Sequence, residues 1–342
     1  MRATAVESWG LPAELALYAI RVGPHEVRVS GTETDRTTDA ARLAAFQAQR
    51  STLVALAYRM LGDVGRAEDM VQEAWVRWQS AEGLIESPRA YLVTTVTRLC
   101  LNELDSAPRR REESRSDRLP EPVELGVLDP AREELERWQD VEMAFLVVLQ
   151  RLTPSERAVF LLHDAFDFDH REIAELVGRS EPACRKLLER ARRDLRDGRR
   201  MLAASSDEHR RLLRAFVAAA RAGDTAALLA LLADEAVLVS DGGPEGRALA
   251  GVRNLKKPLH GASHVAQFVV ATTSRALSLF ELEERELNGG PALVFYRDGA
   301  PTAALLLGIA GGKIERVFFH ADSTRLGHVG ERTDPVTSAR PP

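Results

Sequence analysis

Six basic side chains crowd one short stretch of this chain: Arg185, Lys186, Arg190, Arg192, Arg193 and Arg196. Arginine presents a planar fork that can pair with two acceptors at once, as on a guanine edge, and both residue types neutralise phosphate. Leu187, Leu188, Ala191 and Leu195 recur between them at helical spacing. The stretch therefore reads as a helix with an apolar inner stripe and a basic outer face. Arg185 and Lys186, near the start of that helix, are placed for base edges. Arg190 and Arg193 are placed for backbone phosphates, which position a protein without specifying sequence. A merely solvated basic face is the plainer reading, and the setting of the helix decides against it.

A second group of residues could do acid–base work: Asp241, His260, His264 and His320. General acid–base catalysis needs a carboxyl or imidazole held near its partner, with its pKa moved by burial or charge. The histidines are scattered and show no acid partner, and Asp241-Gly-Gly-Pro244 reads first as a turn. No catalytic residue is assigned. Cys100 and Cys184 fall in separate helical patterns, so neither a disulfide nor a metal site is expected, and no cofactor is implied.

The elements that carry the basic helix are well punctuated. Thr153 and Glu156 form a capping box with Pro154 at the first helical position, and Asp169 and Glu172 repeat the signal. Ile173, Ala174 and Val177 give the second helix its inward stripe. Gly178 supplies a short turn, Ser180 caps the basic helix, and Pro182 sits in its first turn. Two capped helices, a glycine turn and a basic third helix make a helix-turn-helix, and DNA the first partner.

Upstream, residues 40–106 form another helical block. Phe46, Leu53, Leu56 and Met60 recur at helical spacing, and Asp63 can cap the next helix. That helix carries Ala67, Met70, Val71, Ala74 and Trp78 on one side. A loop over 79–88 leads into a third helix, Arg89 to Asp105. Residues 107–138 read as a linker broken by Pro120, Pro122 and Pro130. Residues 207–328 change character: two Ala/Leu-rich helices precede strand-like runs over 236–240, 292–297, 303–309 and 314–320. This is an α+β pattern with an antiparallel sheet. Residues 1–39 and 329–342 are expected to be disordered.

At 342 residues the chain is long enough for two or three domains. Its 45% hydrophobic and 28% charged composition fits a globular protein, and no apolar run approaches the roughly 18–20 residues of a membrane span. No long apolar centre occurs in residues 1–31, so a cytoplasmic protein is expected. The net charge of −5 excludes an overall basic nucleic-acid binder. DNA affinity must come from local patches or from a larger partner.

In this order the blocks resemble an extracytoplasmic-function sigma factor. The run from Phe46 to Gly62 followed by Ala67-Glu-Asp-Met-Val-Gln-Glu-Ala-Trp-Val-Arg-Trp78 resembles sigma region 2, and residues 139–200 resemble sigma region 4. The stretch Ala233-Asp-Glu-Ala-Val-Leu-Val-Ser-Asp-Gly-Gly243 resembles a SnoaL-like domain, a cone-shaped α+β fold. Sigma factors with this extension form a recognised group, sigma-J-like proteins among them, and Leu119-Pro120-Glu121-Pro122 matches its linker motif. Two departures stand out. Pro244 and Glu245 follow Asp-Gly-Gly where the group tends to have Gly and Lys, and Ala321-Asp-Ser-Thr-Arg-Leu326 replaces its C-terminal Asn-Pro-Asp-type motif.

The resemblance implies a multidomain fold: two all-α sigma domains, a helical bundle and a helix-turn-helix, followed by an α+β SnoaL-like cone. It implies core RNA polymerase and promoter DNA as partners, and no membrane. Asp69, Gln72, Glu73 and Arg77 would face polymerase. Arg89, Arg98 and Asn102 would meet the −10 element, and Arg185, Lys186, Arg190 and Arg193 the −35 element. Trp75 and Trp78 offer a stacking surface, though Trp78 lies on the apolar stripe and core packing explains it. Leu119, Pro120, Glu121, Pro122, Asp241, Gly242 and Gly243 would form a regulatory contact between linker and cone. A small ligand in the cone is kept open. The alternatives are a ligand-sensing helix-turn-helix regulator and a cyclase- or isomerase-like enzyme fused to a DNA-binding module.

Overall fold

Residues 33–81, 85–106, 118–124, 143–196, 204–242, 255 and 257–332 are described by the computed structural model. The chain divides into a segment ending at Leu43 and a compact unit from Ala44 onward. The first helix, α1, spans Glu33–Gln47, so it begins inside the stretch expected to be disordered. Then come α2 (Arg50–Leu61), α3 (Val64–Gln79) and α4 (Pro88–Asp105). Gly62 ends α2 in the left-handed region at φ 70°, donating its N–H to the Tyr58 carbonyl, which suits glycine. Asp63 then caps α3 by accepting from Arg66 N, and Ser87 caps α4 with Pro88 behind it. In α3 the buried residues Ala67, Val71, Ala74 and Trp78 repeat at helical spacing. Trp78 lies 5.4 Å from the Tyr91 ring, and the half-buried Trp75 lies 4.8 Å from Phe46.

The second helical block holds α5 (Met143–Arg151), α6 (Pro154–Phe166), α7 (His170–Val177) and α8 (Glu181–Asp194). Both capping boxes form as the spacing predicts. Gly178 turns the chain at φ 68°, and Ser180 caps α8. Cys184, Leu188, Ala191 and Leu195 are buried, whereas Leu187 is only partly so. The two helical blocks share one continuous core, which runs from Phe46 through Trp78, Leu92 and Val96 to Phe145, Phe160, Leu188 and Leu195. Arg157 on α6 ties them together: buried, it donates to the carbonyls of Leu149, Gln150, Leu152 and Met60.

The C-terminal domain begins with α9 (Ser206–Ala222) and α10 (Thr225–Leu231). It continues with β1 (Leu232–Asp241), β2 (Leu259–His260) and α11 (Ala262–Ala276). The last four strands are β3 (Glu281–Leu287), β4 (Gly290–Arg297), β5 (Ala300–Ala310) and β6 (Lys313–His320). The sheet order is β2-β1-β6-β5-β4-β3. The sheet is mixed rather than wholly antiparallel, because β1 runs parallel to β6. Strands β3 to β6 alternate in direction through three tight hairpins, and that alternation fixes the sense in which β6 reaches β1. Each hairpin turn has two residues at positive φ: Asn288 and Gly289, Asp298 and Gly299, Gly311 and Gly312. That geometry matches the right-handed twist of the strands. The sequence reading passed over β3, Glu-Leu-Glu-Glu-Arg-Glu-Leu, since it lacks an apolar run. It is an edge strand, where charge guards against pairing with other chains.

Alternation along the strands sends side chains to two faces. One face, with Leu238, Ile314 and Val317, packs under Leu212 and Phe216 of α9 and Val265 of α11. The other, with Val237, Val239, Tyr296 and Phe318, packs on Leu119 and on Met143 and Ala144 of α5. A sheet face left to itself would expose apolar surface; here the rest of the chain covers it. The segment expected to be a disordered tail begins instead as part of this layer. Val329 is buried, Tyr296 Oη donates to the Gly330 carbonyl at 3.1 Å, and Arg332 pairs with Glu281.

Candidate functional site

The outer face of α8 carries Arg185, Lys186, Arg190 and Arg193, all exposed. Arg185 pairs with Glu181 one turn earlier at 2.8 Å, an exposed i,i+4 pair worth little. Arg192 faces back instead, donating to Asp164 of α6 at 2.6 Å, so it braces α8 against α6. Burial pushes the Asp164 carboxyl up, but hydrogen bonds from Arg192 and His163 outweigh it and hold the group below its usual range. His163 and His170 stack at 4.9 Å beside this pair.

On α3, Asp69, Gln72, Glu73 and Arg77 are exposed along one side, and Glu73 pairs with Arg77 at 2.9 Å. Val76 is 53% exposed among them.

The three residues expected at the −10 element behave differently from one another. Asn102 is exposed on α4. Arg98 donates to the carbonyls of Glu175 and Leu176 at the end of α7, each at 3.4 Å. Cations at a helix C-terminus are favoured there by the aligned carbonyls. Arg89 sits over the Phe166 ring at 5.9 Å. Two of the three thus engage the helix-turn-helix block of their own chain.

The linker segment 118–124 runs between α2, α3 and the C-terminal domain, and residues 119–123 are buried. Leu119 N donates to Asp241 Oδ2 at 3.0 Å. Arg325 donates to the same oxygen at 3.0 Å, to the Leu119 carbonyl at 2.7 Å and to the Gly62 carbonyl at 3.1 Å. One guanidinium therefore joins the first helical block, the linker and the C-terminal domain. Glu121 forms the second half of the junction. Its N–H donates to Gly62 O at 2.9 Å, its carbonyl accepts from Tyr58 Oη at 2.6 Å, and its carboxylate accepts from Val64 N at 2.8 Å. His328 approaches the other carboxylate oxygen at 2.9 Å, and that bond raises the His328 pKa.

Asn288 closes the ring. Its Nδ2 donates to Tyr58 Oη at 2.8 Å, and it exchanges two bonds with the Val123 backbone. It is fully buried at φ 51°, a left-handed position that asparagine tolerates. Burial pushes the Tyr58 hydroxyl strongly up, so it stays protonated and able to donate. Buried polar groups are costly unless paired, and here each finds partners in another segment.

Sequence reasoning placed Leu119–Pro122, Asp241, Gly242 and Gly243 in one regulatory contact. Leu119 and Asp241 do bond, Gly242 is buried beside them, and Gly243 lies outside the described residues. Tyr58, Asn288, Arg325 and His328 were missed. Arg325 lies in the Ala321–Leu326 segment that departs from the family motif, which was the one available signal.

The candidate acid–base residues are not brought together. His260 and His264 are exposed, and His264 Nδ1 lies against the His260 carbonyl. Val237 pairs with His260, and Asp241 lies four residues on, about 13 Å along an extended strand. Asp241 belongs to the linker junction. His320 is buried beside it, and burial together with Arg325 holds it well below the ordinary histidine range. Among the described residues no cluster of potential ligands could hold a metal ion, and no helix is long and apolar enough to cross a membrane.

Comparison with known proteins returns two family models: Sigma-70 region 2 over residues 45–110 and Sigma-70, region 4 over residues 142–195. The chain is 37% identical over 260 residues to the ECF RNA polymerase sigma factor SigJ of Mycobacterium tuberculosis, covering 75% of this chain and 81% of that one. It is 34% identical over 278 residues to the probable ECF RNA polymerase sigma factor SigI of the same species, covering 80% and 91%. The crystal structure of M. tuberculosis SigJ matches with a TM-score of 0.65 at 29% identity, covering 85% of this chain and all of that one.

Proposed function

The chain belongs to the extracytoplasmic-function branch of the sigma-70 family, and we propose on that footing that its C-terminal domain holds the two promoter-reading regions shut against each other. As a sigma factor it directs initiation of transcription from promoters. Region 2 and region 4 carry that task, and core RNA polymerase and promoter DNA are the partners they imply. Within this frame we assign Asp69, Gln72, Glu73 and Arg77, with the exposed Val76, to polymerase. Arg185 and Lys186 go to −35 base edges, Arg190 and Arg193 to its phosphates, and Arg89, Arg98 and Asn102 to the −10 element.

One observation carries the closure: Arg98 of region 2 bonds to region 4 at 3.4 Å. The −10 and −35 elements are about 25 base pairs apart, or ~85 Å of duplex. Regions in contact through one core cannot read both at once. The packed chain is therefore a resting form, and DNA reading requires region 4 to move away from α4. The C-terminal sheet packs on the linker and on α5 of region 4 together, so it opposes that movement. Being covalently attached, it needs little intrinsic affinity to do so.

The test is run-off transcription with core polymerase, comparing the full chain with Arg325→Ala. Release of the junction raises transcript yield at limiting sigma by roughly tenfold, the equivalent of about 1.4 kcal/mol moved from the closed form. Equal yields from two folded proteins would reject closure while leaving the sigma activity intact.

A further inference from the structure

The last turn of α2 ends in carbonyls that its own backbone cannot satisfy, and region 4 supplies partners for two of them. Gln150, near the end of α5, donates from Nε2 to the Arg59 carbonyl at 3.2 Å. Arg157 of α6 donates from Nη1 to the Met60 carbonyl. The two donors are themselves linked. Arg157 Nη1 also donates to Gln150 Oε1 at 2.8 Å, which turns the amide so that its N–H side faces α2. The amide packs directly on Gly62, where an added Cβ would stand 3.1 Å from Gln150 Nε2. We propose that Gln150 and Arg157 form a second latch, which shuts region 4 on the end of α2 through its own contacts and without the C-terminal domain.

The bonds on either side of this contact are unequal. Arg157 donates as well to the carbonyls of Leu149 at 3.1 Å, Gln150 at 2.8 Å and Leu152 at 3.1 Å, all within region 4. When region 4 leaves, the guanidinium keeps those three, and the Arg59 and Met60 carbonyls pass to water. At this contact opening strands no charge; it exchanges hydrogen bonds whose net worth is modest. Such a contact breaks and re-forms readily, unlike a buried ion that loses its partners. In the closed form the cation also stands at the negative pole of α2, which favours closure. Arg325 uses the same helix end through a different atom, the Gly62 carbonyl, so the two sets of bonds share neither donor nor acceptor. A signal that dislodges the C-terminal domain thus gives part of the release, and a partner that binds only the open form supplies the rest. The latch rests on the packed chain being a resting form, but not on what the C-terminal domain does there.

Run-off transcription at limiting sigma tests it, with the full chain carrying Gln150→Glu, Gln150→Ala, Arg325→Ala, or Gln150→Glu and Arg325→Ala together. Gln150→Glu keeps the acceptor for Arg157 and sets a carboxylate oxygen against the Arg59 carbonyl. It therefore opposes closure while leaving the bonds inside region 4 in place. We expect it to raise transcript yield by roughly two- to tenfold, the range that one net hydrogen bond spans, and to do so again in the Arg325→Ala chain. Gln150→Ala, which removes the amide, should raise yield too. Damage to folding lowers yield, so the sign of the change separates a latch from a merely structural contact. Unchanged or lower yield in both Gln150 variants overturns the proposal, whatever Arg325→Ala does. A rise that vanishes in the Arg325→Ala chain overturns it as well, since the two contacts would then be one. A rise with Gln150→Glu and none with Arg325→Ala keeps this latch and rejects the part given to the C-terminal domain.

Discussion

Arg325 and Asp241 meet at 3.0 Å with both side chains withdrawn from solvent, and Leu119 N–H shares the same carboxylate oxygen. A buried pair of this kind adds little over an apolar substitute, but breaking it strands a charge, at a cost of about 3–5 kcal/mol. Asp241→Ala should therefore lower Tm more than an exposed control such as Glu73→Ala. Thermal denaturation followed by far-UV circular dichroism checks this, and similar losses in the two variants would contradict the buried-pair account.

Tyr58 and Asn288 form a smaller and separable contact. Tyr58→Phe removes one hydroxyl that donates to the Glu121 carbonyl and accepts from Asn288. The expected loss is about 1–3 kcal/mol, since Asn288 is left buried without that partner. Asn288→Ala should cost more, because it also loses the side-chain oxygen that accepts from Val123 N and places an alanine at φ 51°. A double-mutant cycle across Tyr58 and Asn288 should show coupling; simple additivity would argue that the contact carries no energy.

On DNA, the two halves of α8 should separate by salt and by sequence. Arg190→Ala should weaken binding to all promoter fragments alike and lower the salt slope by about 1. Arg185→Ala should cost about 1–3 kcal/mol on the preferred −35 sequence and less on others. Fluorescence anisotropy with the polymerase holoenzyme over a salt series measures both, and uniform loss in Arg185→Ala would move that residue to the phosphates.

Two histidines give the protein opposite pH responses. Burial, reinforced by Arg210, lowers His209 to about 4. Its unfolded value is about 6.5, so between the two the unfolded chain binds more protons. Stability from this group is full above about pH 6.5 and declines as pH falls towards 4, by roughly 3 kcal/mol in all. His328 is raised by its bond to Glu121, so its contribution is full below about pH 6.5 and is lost as pH rises through its folded value. Tm of His209→Gln should fall less steeply in acid than that of the parent. His328→Gln should flatten the response on the alkaline side, and unchanged profiles would remove both assignments.

The helical blocks were legible because their signals are local. Thr153 with Glu156 and Asp169 with Glu172 act across three residues, and Gly178 needs only its own backbone. The residues proposed for polymerase were assigned by family likeness, and those proposed for DNA by that likeness together with their position on such helices. The junction was only half legible. Leu119 and Asp241 stood out through family likeness, whereas Asn288 and Arg325 reach partners 230 and 263 residues away. Nothing near them in sequence records those contacts. The parallel pairing of β1 with β6 escaped for the same reason, and β3 because alternating charge conceals an edge strand.

Glu121 also reaches into a place where its charge has a second meaning. Its carboxylate receives the N–H of Val64, the first residue of α3, and so sits at the positive pole of that helix. A negative group there is worth roughly 0.3–1 kcal/mol to the helix and more when shielded from water. When the linker leaves, α3 loses that anion and keeps only Asp63 at its start. Opening at the junction is thus felt as a change in the dipole balance of the helix assigned to polymerase, through its backbone and without any movement of its exposed face.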